Sequence, residues 1–271
     1  MEATISNTSR TWFTGNQLKI LGVIFMVIDH LHQMFIPQGA PDWFTYIGRL
    51  SAPLFLFMVA EGMRYTRSRT RYLLLLLAGF EFMVISSTVV STYFFNENII
   101  LTNNIFGSLL MIGLYIVFIE MLIKAVKEKK FLKATGVILL MILPFLVGLG
   151  LILFMSNTEL SSSIPSWLIL IVLQFIPNPI FAEGGLLFVV LGVSIYLLRN
   201  NRVLQAAALA ATGIICLISG SYVQALMGLS AIFILLYNGR KGGGNKYFFY
   251  IFYPAHIYVF YFIAYFLMNL N

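Results

Sequence analysis

Long apolar runs, separated by short polar or basic stretches, repeat along almost the whole chain. A helix needs about 20 consecutive apolar residues to cross the hydrocarbon core of a bilayer. The pattern therefore predicts an all-α fold, a polytopic transmembrane helix bundle of about nine to ten spans. We predict these spans at residues 18–36, 43–63, 71–94, 104–124, 134–155, 166–177, 184–198, 203–218, 221–237 and 247–268.

Two of the predicted spans, 166–177 and 184–198, are shorter than a full crossing requires. They flank the stretch FIPNPIFAEGG, in which Pro177 and Pro179 prevent a continuous helix. We expect one of the two to be re-entrant or tilted.

The charged residues of the loops orient the predicted bundle. Residues 64–72 and 124–133 are strongly basic, whereas the loops at 37–42, 95–103 and 156–165 contain acidic residues and no Lys or Arg. Cytoplasmic loops of membrane proteins carry the excess of Lys and Arg. The N-terminus is therefore predicted to be cytoplasmic.

Two further basic loops, 199–202 and 238–246, also favour the cytoplasmic side. Both reach that side only if residues 166–198 cross the membrane an odd number of times. We favour nine full crossings and one half-span, with the C-terminus outside, over ten full crossings.

Composition supports one membrane domain that comprises residues 1–271. The chain is 60% hydrophobic and 10% charged, with a mean hydropathy of +0.91, whereas about a quarter of a soluble domain is charged. The net charge of +7 is concentrated in the short loops, so it does not indicate nucleic-acid binding. The single cysteine, Cys216, excludes an internal disulfide. The N-terminal stretch lacks the features of a cleaved signal peptide, so the first span is expected to remain attached.

Several ionisable residues interrupt the apolar runs, most visibly in VIDHLHQMF. Such residues are costly inside a bilayer, usually face the bundle interior, and are therefore candidate site residues. The candidates are Asp29, His30, His32, Arg49, Glu61, Glu81, Glu183 and His256.

Helix geometry places some of these candidates in one layer. Asp29 lies ten residues after Lys19, about 15 Å along the helix, near the middle of a hydrocarbon core about 30 Å thick. His256 lies at a similar depth in the last span. Asp29 and His30 are adjacent, point about 100° apart and cannot orient each other. Asp29 therefore needs a partner from another span, for which we expect Arg49.

His30 is then free to face a cavity as a neutral imidazole, which suits a general base near neutral pH. The alternative is a structural histidine that joins two helices by a hydrogen bond. For Arg49, an ion pair without further function is the corresponding alternative. His256 follows Pro254, whose ring leaves a backbone carbonyl free.

The other candidates have simpler explanations. His32 is expected near the outer surface in a supporting role, and Glu61 is expected to pair locally with Arg64. Glu81 has no explanation from the sequence. The basic loop has two interpretations, topology or phosphate binding by its guanidinium groups, which match phosphate geometry. Its arginines are Arg64, Arg67, Arg69 and Arg71.

Four stretches carry a resemblance to a known family, in order from the first span to the last. They are LKILGVIFMVIDHLHQMF, YIGRLSAPLFLFMVAEGMRYTRSRTRYLL, NIFGSLLMIGL and NKYFFYIFYPAHIYVFYF. Together they resemble the TraX family of bacterial membrane proteins. The matched positions are Asp29, His30, Gly48, Arg49, Pro53, Glu61, Gly62, Arg64, Thr66, Asn104, Tyr253, Pro254 and His256.

The resemblance implies an acetyl-CoA-dependent acetyltransferase in the bacterial plasma membrane, because the founding role of the family is N-acetylation of a pilin subunit made by conjugative plasmids. Acetyl-CoA is the expected co-substrate, with no metal. The expected partners are this acyl-CoA donor, membrane lipids and a peptide, glycan or lipid acceptor that offers an amine or hydroxyl; no nucleic acid is expected.

Acetyl transfer needs a base and a donor that stabilises the oxyanion. Under the resemblance, His30 is the expected general base, and Asp29 with Arg49 fixes the surrounding electrostatics. Arg49 alternatively contacts the pantetheine arm or the oxyanion. His256 or Tyr253 supplies a second polar contact.

The basic loop would then bind the phosphates of CoA at the cytoplasmic mouth. A different class also fits the buried cluster of Asp, His and Arg: a proton-coupled transporter or flippase. Transporters often show repeated halves, and this sequence shows no such repeat. A structural or assembly role is the third alternative.

Overall fold

The computed structural model describes residues 12–99, 101, 103–157, 176–244 and 247–269. This part of the chain is a bundle of helices without a named strand. We number the helices α1 Gly15–Phe35, α2 Trp43–Gly48, α3 Ser51–Tyr65, α4 Arg69–Tyr93, α5 Ile105–Lys127, α6 Phe131–Ser156, α7 Gly185–Leu197, α8 Arg202–Ile218, α9 Tyr222–Ala225, α10 Ala231–Leu235 and α11 Phe248–Asn269. Short 3-10 turns cover Ile36–Gln38 and Leu226–Ser230.

The all-α membrane bundle predicted from hydropathy is confirmed. Six segments of the described chain are helical, long enough and apolar enough to cross a bilayer, with α2 and α3 together forming one of them. Three shorter apolar stretches accompany them, at Gly185–Leu197, Arg202–Ile218 and Tyr222–Leu235. These bounds agree with the predicted spans to within a few residues, except that most of the predicted span 166–177 lies outside the described residues.

The basic loops meet at one end of the bundle, which we call the basic end. The Gly15 amide donates to the Arg240 carbonyl at 2.8 Å, and the Arg64 guanidinium donates to the Arg199 carbonyl. The opposite end, which we call the far end, carries the turn between α1 and α2. The gathering of basic loops agrees with the charge pattern of the sequence.

The path between α6 and α8 has the parity that the charge pattern requires. Helix α6 begins at the basic end and its 26 residues span about 39 Å. Helix α7 ends at the basic end, and its 13 residues span only about 20 Å. Helix α6 therefore reaches the far end, whereas α7 begins at about half depth. Asn178 confirms this depth, because its amide donates to the carbonyl of Pro144, in the middle of α6.

The centre of the bundle is formed by α3 and the first half of α5. Both present buried side chains on almost every face, which is typical of a helix surrounded by others. The buried residues of α3 are Ser51, Pro53, Leu54, Leu56, Phe57, Met58, Val59, Ala60, Glu61 and Met63. Those of α5 run from Ile105 to Gly113, with Ile116 and Ala125 beyond.

A break between α2 and α3 interrupts the second predicted span, which the apolar pattern presents as one helix. The break falls at Arg49 and Leu50, and the Ser230 hydroxyl donates to the Leu50 carbonyl at 2.9 Å. The Ser51 hydroxyl donates to the Gly22 carbonyl at 2.8 Å and so joins α3 to α1. Such side-chain hydroxyls supply the partners that water would supply outside a membrane.

The parity of the bundle predicts opposite sides for the two termini. Alkaline phosphatase fused after Asn269 should be active in the periplasm, and green fluorescent protein fused there should be dark. The same two reporters inserted after Lys129, in the α5–α6 loop at the basic end, should give the reverse result. Fluorescence at both positions would contradict the odd number of membrane crossings predicted for residues 166–198.

Candidate active site

A cavity of about 230 Å³ opens among α1, α3, α5, α7 and α11. Side chains from separate parts of the chain converge on it, including several that interrupt apolar runs. Its polar lining residues are Asp29, His30, Arg49, Ser51, Glu183, Gln224 and Tyr253.

The Asp29–Arg49 pair expected from the sequence is confirmed. Arg49 Nη2 donates to Asp29 Oδ1 at 3.0 Å and lies 3.3 Å from Oδ2, and Nη1 donates to Gln224 Oε1 at 3.3 Å. The Asp29 side chain is 21% exposed and that of Arg49 33% exposed, so the pair faces the cavity. Arg49 Nε is buried and has no partner among the described residues.

Gly48 allows this pair to form. A Cβ atom at position 48 would overlap the carboxylate and Cβ of Asp29. Glycine therefore lets the end of α2 lie directly against α1, next to the break that directs Arg49 toward Asp29. The resemblance marked Gly48 as a matched position, and the close approach explains why this residue is a glycine.

His30 and His256 contact each other directly across α1 and α11. His30 Nδ1 lies 2.7 Å from His256 Nε2, and the two side chains belong to residues that are 3% and 6% exposed. His256 Nδ1 lies 2.8 Å from the Phe252 carbonyl oxygen, which can only accept. His256 Nδ1 must therefore carry a proton, and its Nε2 accepts in the neutral ring.

The donor at His256 Nε2 must then be His30 Nδ1–H. The remaining ring nitrogen, His30 Nε2, consequently holds a lone pair when the ring is neutral. The Asn103 side-chain amide approaches this nitrogen at 3.2 Å, as a donor should. The chain of contacts thus fixes the tautomers of both rings and leaves Nε2, which accepts from Asn103, as the basic atom of the His30 ring that lines the cavity.

Glu183 joins the same cavity from the turn before α7. The Asn104 amide donates to Glu183 Oε2 at 2.9 Å. The Tyr253 hydroxyl accepts from the Ile105 amide at 3.0 Å and interacts with the Glu183 carboxylate. These contacts hold Tyr253 and Glu183 against the beginning of α5.

Asn103 and Gln224 are site residues that sequence reasoning missed. Asn103 lies in a loop and Gln224 in a short helix that crosses no membrane alone, and neither residue is ionisable. An uncharged amide in such a segment gives no signal in the hydropathy pattern. Only the folded bundle places these two amides against His30 and Arg49.

Glu61 does not form its predicted local pair with Arg64, and that prediction is wrong. Glu61 is 3% exposed and its Oε1 lies 3.4 Å from Arg202 Nη1, at the beginning of α8. Arg64 instead donates to the Arg199 carbonyl. Glu61 points into the bundle, where Arg202 is the cation that helix packing brings within reach.

His32 and Glu81 lie outside the lining of the cavity. His32 Nε2 lies 3.3 Å from Asp42 Oδ1 and its Nδ1 lies 3.0 Å from Thr45 Oγ1 at the far end, in agreement with the expected supporting role. Glu81 lies in the middle of α4, and the structure adds no explanation for it.

The four arginines of the basic loop have different surroundings. Arg69 forms an ion pair with Glu120 and donates to the Tyr196 hydroxyl at 3.1 Å. Arg64 donates to a backbone carbonyl, and Arg71 donates to the Tyr247 hydroxyl at 3.2 Å. Three of the four guanidinium groups therefore have a partner within the chain, and Arg67 and Arg71 are exposed. Phosphate binding by this loop stays a prediction.

Comparison with known proteins gives two matches and no structural precedent. The family profile described as TraX protein matches residues 14–264. The probable fimbrial assembly protein FimC, serogroup H1, of Dichelobacter nodosus is 27% identical over 263 residues, which cover 90% of this chain and 93% of that protein. No solved structure matches significantly. The profile match includes every lining residue of the cavity.

Removal of Arg49 should destabilise the protein by leaving Asp29 without its counter-ion. We expect Arg49→Gln to lower the free energy of unfolding by about 1–2 kcal/mol, less than for a fully buried pair because both side chains are partly exposed. Asp29→Asn in the same chain should restore most of the loss, as measured by thermal unfolding in detergent.

The exposed ion pair between Lys130 and Glu128 offers a matched control for this comparison. Lys130→Gln should leave the unfolding midpoint near that of the wild type, because exposed pairs contribute little. An additive loss in the Asp29→Asn, Arg49→Gln double variant would contradict the coupling of the two residues.

Proposed function

Because the chain belongs to the TraX family, we propose that it is an integral membrane acetyltransferase. It moves the acetyl group of acetyl-CoA to an amine or hydroxyl of a peptide, glycan or lipid acceptor. The relative named as a probable fimbrial assembly protein favours a pilin-related peptide among these acceptors. The observation that carries the proposal is the His30 ring, which lines a polar cavity inside the bundle and holds a lone pair at Nε2. An acceptor would take the place of the Asn103 amide at this nitrogen.

His30 is the general base of the proposed reaction. Its Nε2 removes the proton of the acceptor amine or hydroxyl while the acceptor atom attacks the thioester carbonyl carbon. The C–S bond of the tetrahedral intermediate then breaks, and the proton passes from His30 Nε2 to the sulfur of CoA. The products are the acetylated acceptor and CoA, so no further reactant is needed.

His256 supports the protonated state of His30. When His30 Nε2 takes a proton, Nδ1–H already donates to His256 Nε2, so the positive charge is shared over two rings. The Phe252 carbonyl holds the His256 ring in the required orientation. His256 is thus a positioning residue, because it acts on the substrate only through His30.

Arg49 is the proposed donor for the oxyanion of the tetrahedral intermediate. Two of its nitrogens are held by Asp29 and Gln224, and the side chain is 33% exposed at the cavity. A fixed, charged donor is well suited to stabilise developing negative charge. Asp29 and Gln224 prevent the guanidinium from moving.

One observation favours this enzyme over a proton-coupled transporter. A transporter needs a path on which the proton continues, whereas the His30–His256 contact ends at the backbone carbonyl of Phe252, which does not take up a proton. The proton accepted by His30 therefore returns to the cavity. Acetyl transfer requires that the proton return to the cavity, because the leaving thiolate of CoA accepts it there.

The proposal predicts that His30→Gln lowers transfer by about 10²–10⁴-fold, the usual contribution of a general base. The measurement is incorporation of labelled acetyl groups into membrane proteins, lipids and glycans, with release of CoA as the second readout. Thermal unfolding should show a folded variant, because glutamine can still bond to His256 and Asn103.

His32→Gln is the matched control, since His32 lies on the same helix and its side chain bonds to Asp42 and Thr45 at the far end. It should retain transfer. His256→Gln should reduce transfer less than His30→Gln does, because a glutamine oxygen still accepts from His30 Nδ1. Full activity of a folded His30→Gln variant would contradict the proposal, and gradient-driven uptake into vesicles without acetyl-CoA turnover would favour the transporter.

A further inference from the structure

A second cavity of about 80 Å³ adjoins the first on the side of the basic end. Its lining includes Lys19, Tyr72, Phe249 and Tyr250, which lie where α1, α4 and α11 approach the basic loops. Four further lining residues belong to both cavities, and these are Met26, Phe55, Ile105 and Tyr253. The two cavities therefore meet at a common wall, and we call the second one the passage.

The walls of the passage are almost entirely apolar. Besides the aromatic rings, they consist of aliphatic and thioether side chains, namely Val23, Met58, Val59, Leu76 and Leu109. A narrow apolar passage of this kind suits an extended, uncharged chain and excludes a phosphate or nucleotide. The charged part of any ligand would have to remain at the basic end.

Lys19 supplies a positive charge at that end of the passage. Its ammonium group lies 5.4 Å from the centroid of the Phe249 ring. The ion pairs of the described residues do not include Lys19, and the charged group that acts on it electrostatically is a second cation, Lys241. Two neighbouring lysines that have no carboxylate partner within the described part of the chain favour an anionic ligand such as a phosphate.

The distance from Lys19 to His30 matches one arm of the proposed co-substrate. The two residues are eleven positions apart on α1, which corresponds to a rise of about 16 Å. The pantetheine arm has about thirteen bonds between its phosphorus and its sulfur, and an extended chain advances about 1.2 Å per bond, or about 16 Å in all. A phosphate at Lys19 would thus place the thioester beside His30.

We propose that the passage holds the pantetheine arm of acetyl-CoA, with Lys19 as the anchor for the adjacent phosphate. The acetyl thioester then reaches the catalytic cavity at Tyr253, where the two cavities meet. This inference rests on the proposed function and assigns the phosphate contact to Lys19, in place of Arg64 and Arg69, whose guanidinium groups have intramolecular partners.

Equilibrium binding to the purified full chain in detergent tests the anchor. The probes are S-acetonyl-CoA, a thioether analogue that cannot transfer an acetyl group, and S-acetonyl-pantetheine, which lacks every phosphate. Lys19→Gln should weaken binding of the first probe about tenfold, the effect of one lost charged contact. Binding of the second probe should stay within about twofold of the wild type, since no phosphate contact is lost.

Lys133→Gln is the matched control, because Lys133 is an exposed lysine at the same end of the bundle. It should leave both affinities unchanged. Unchanged binding of S-acetonyl-CoA by Lys19→Gln would overturn the anchor, as would a tenfold loss in Arg71→Gln instead. Equal loss of both probes in a folded Lys19→Gln variant would also overturn it, because the effect would then not depend on phosphate.

A cysteine placed in the wall tests the passage independently of Lys19. Val23→Cys in a Cys216→Ser background presents a thiol to the passage, and S-acetonyl-CoA should slow its reaction with a small maleimide. A cysteine at Leu132, which is 90% exposed, should react equally fast with and without the probe. No protection of Cys at position 23, despite saturable binding, would overturn the passage alone; absence of any binding to the wild type would overturn the proposed function as well.

Discussion

A polar group in the hydrocarbon core of a bilayer has no water to bind, so its hydrogen-bond partners have to come from the protein. This constraint explains the centre of the structure. Arg49 donates to the Asp29 carboxylate, and the Ser230 hydroxyl donates to the Leu50 carbonyl at the helix break. The backbone amide of Asn104 donates to the Glu183 carboxylate. Each contact joins segments that are distant in the chain. The same contacts that satisfy buried polar groups therefore also determine which helices surround the cavity.

The two histidines show how such a network produces chemistry. The Phe252 carbonyl can only accept, and this single fact determines the proton positions on both rings and leaves the lone pair on His30 Nε2. The His30 ring lines the polar cavity, which shares Tyr253 with the apolar passage. Under the proposed function, the donor arrives from the basic end, while the partly exposed Asp29–Arg49 pair lines the cavity from which an acceptor is reached.

Much of this arrangement could be predicted from the sequence, and the limits have physical causes. The span bounds and the Asp29–Arg49 pair followed from hydropathy and from depth along a helix, because both depend on local rise and charge. The Glu61 partner did not follow, since an i, i+3 neighbour and a distant Arg202 are equally compatible with the local pattern. Asn103 and Gln224 escaped notice because uncharged amides in short segments leave no trace in hydropathy.

The amino-acid sequence by itself determined that this chain is an all-α membrane bundle, which basic loops share a side and which ionisable residues lie at mid-depth. These properties depend on composition and on the regular rise of a helix. Only the tertiary structure decided that His30 meets His256, that Gly48 admits Asp29 and that Lys19 opens onto a passage toward the cavity. Such contacts depend on how helices rotate and pack against one another, and a one-dimensional pattern does not contain that rotation.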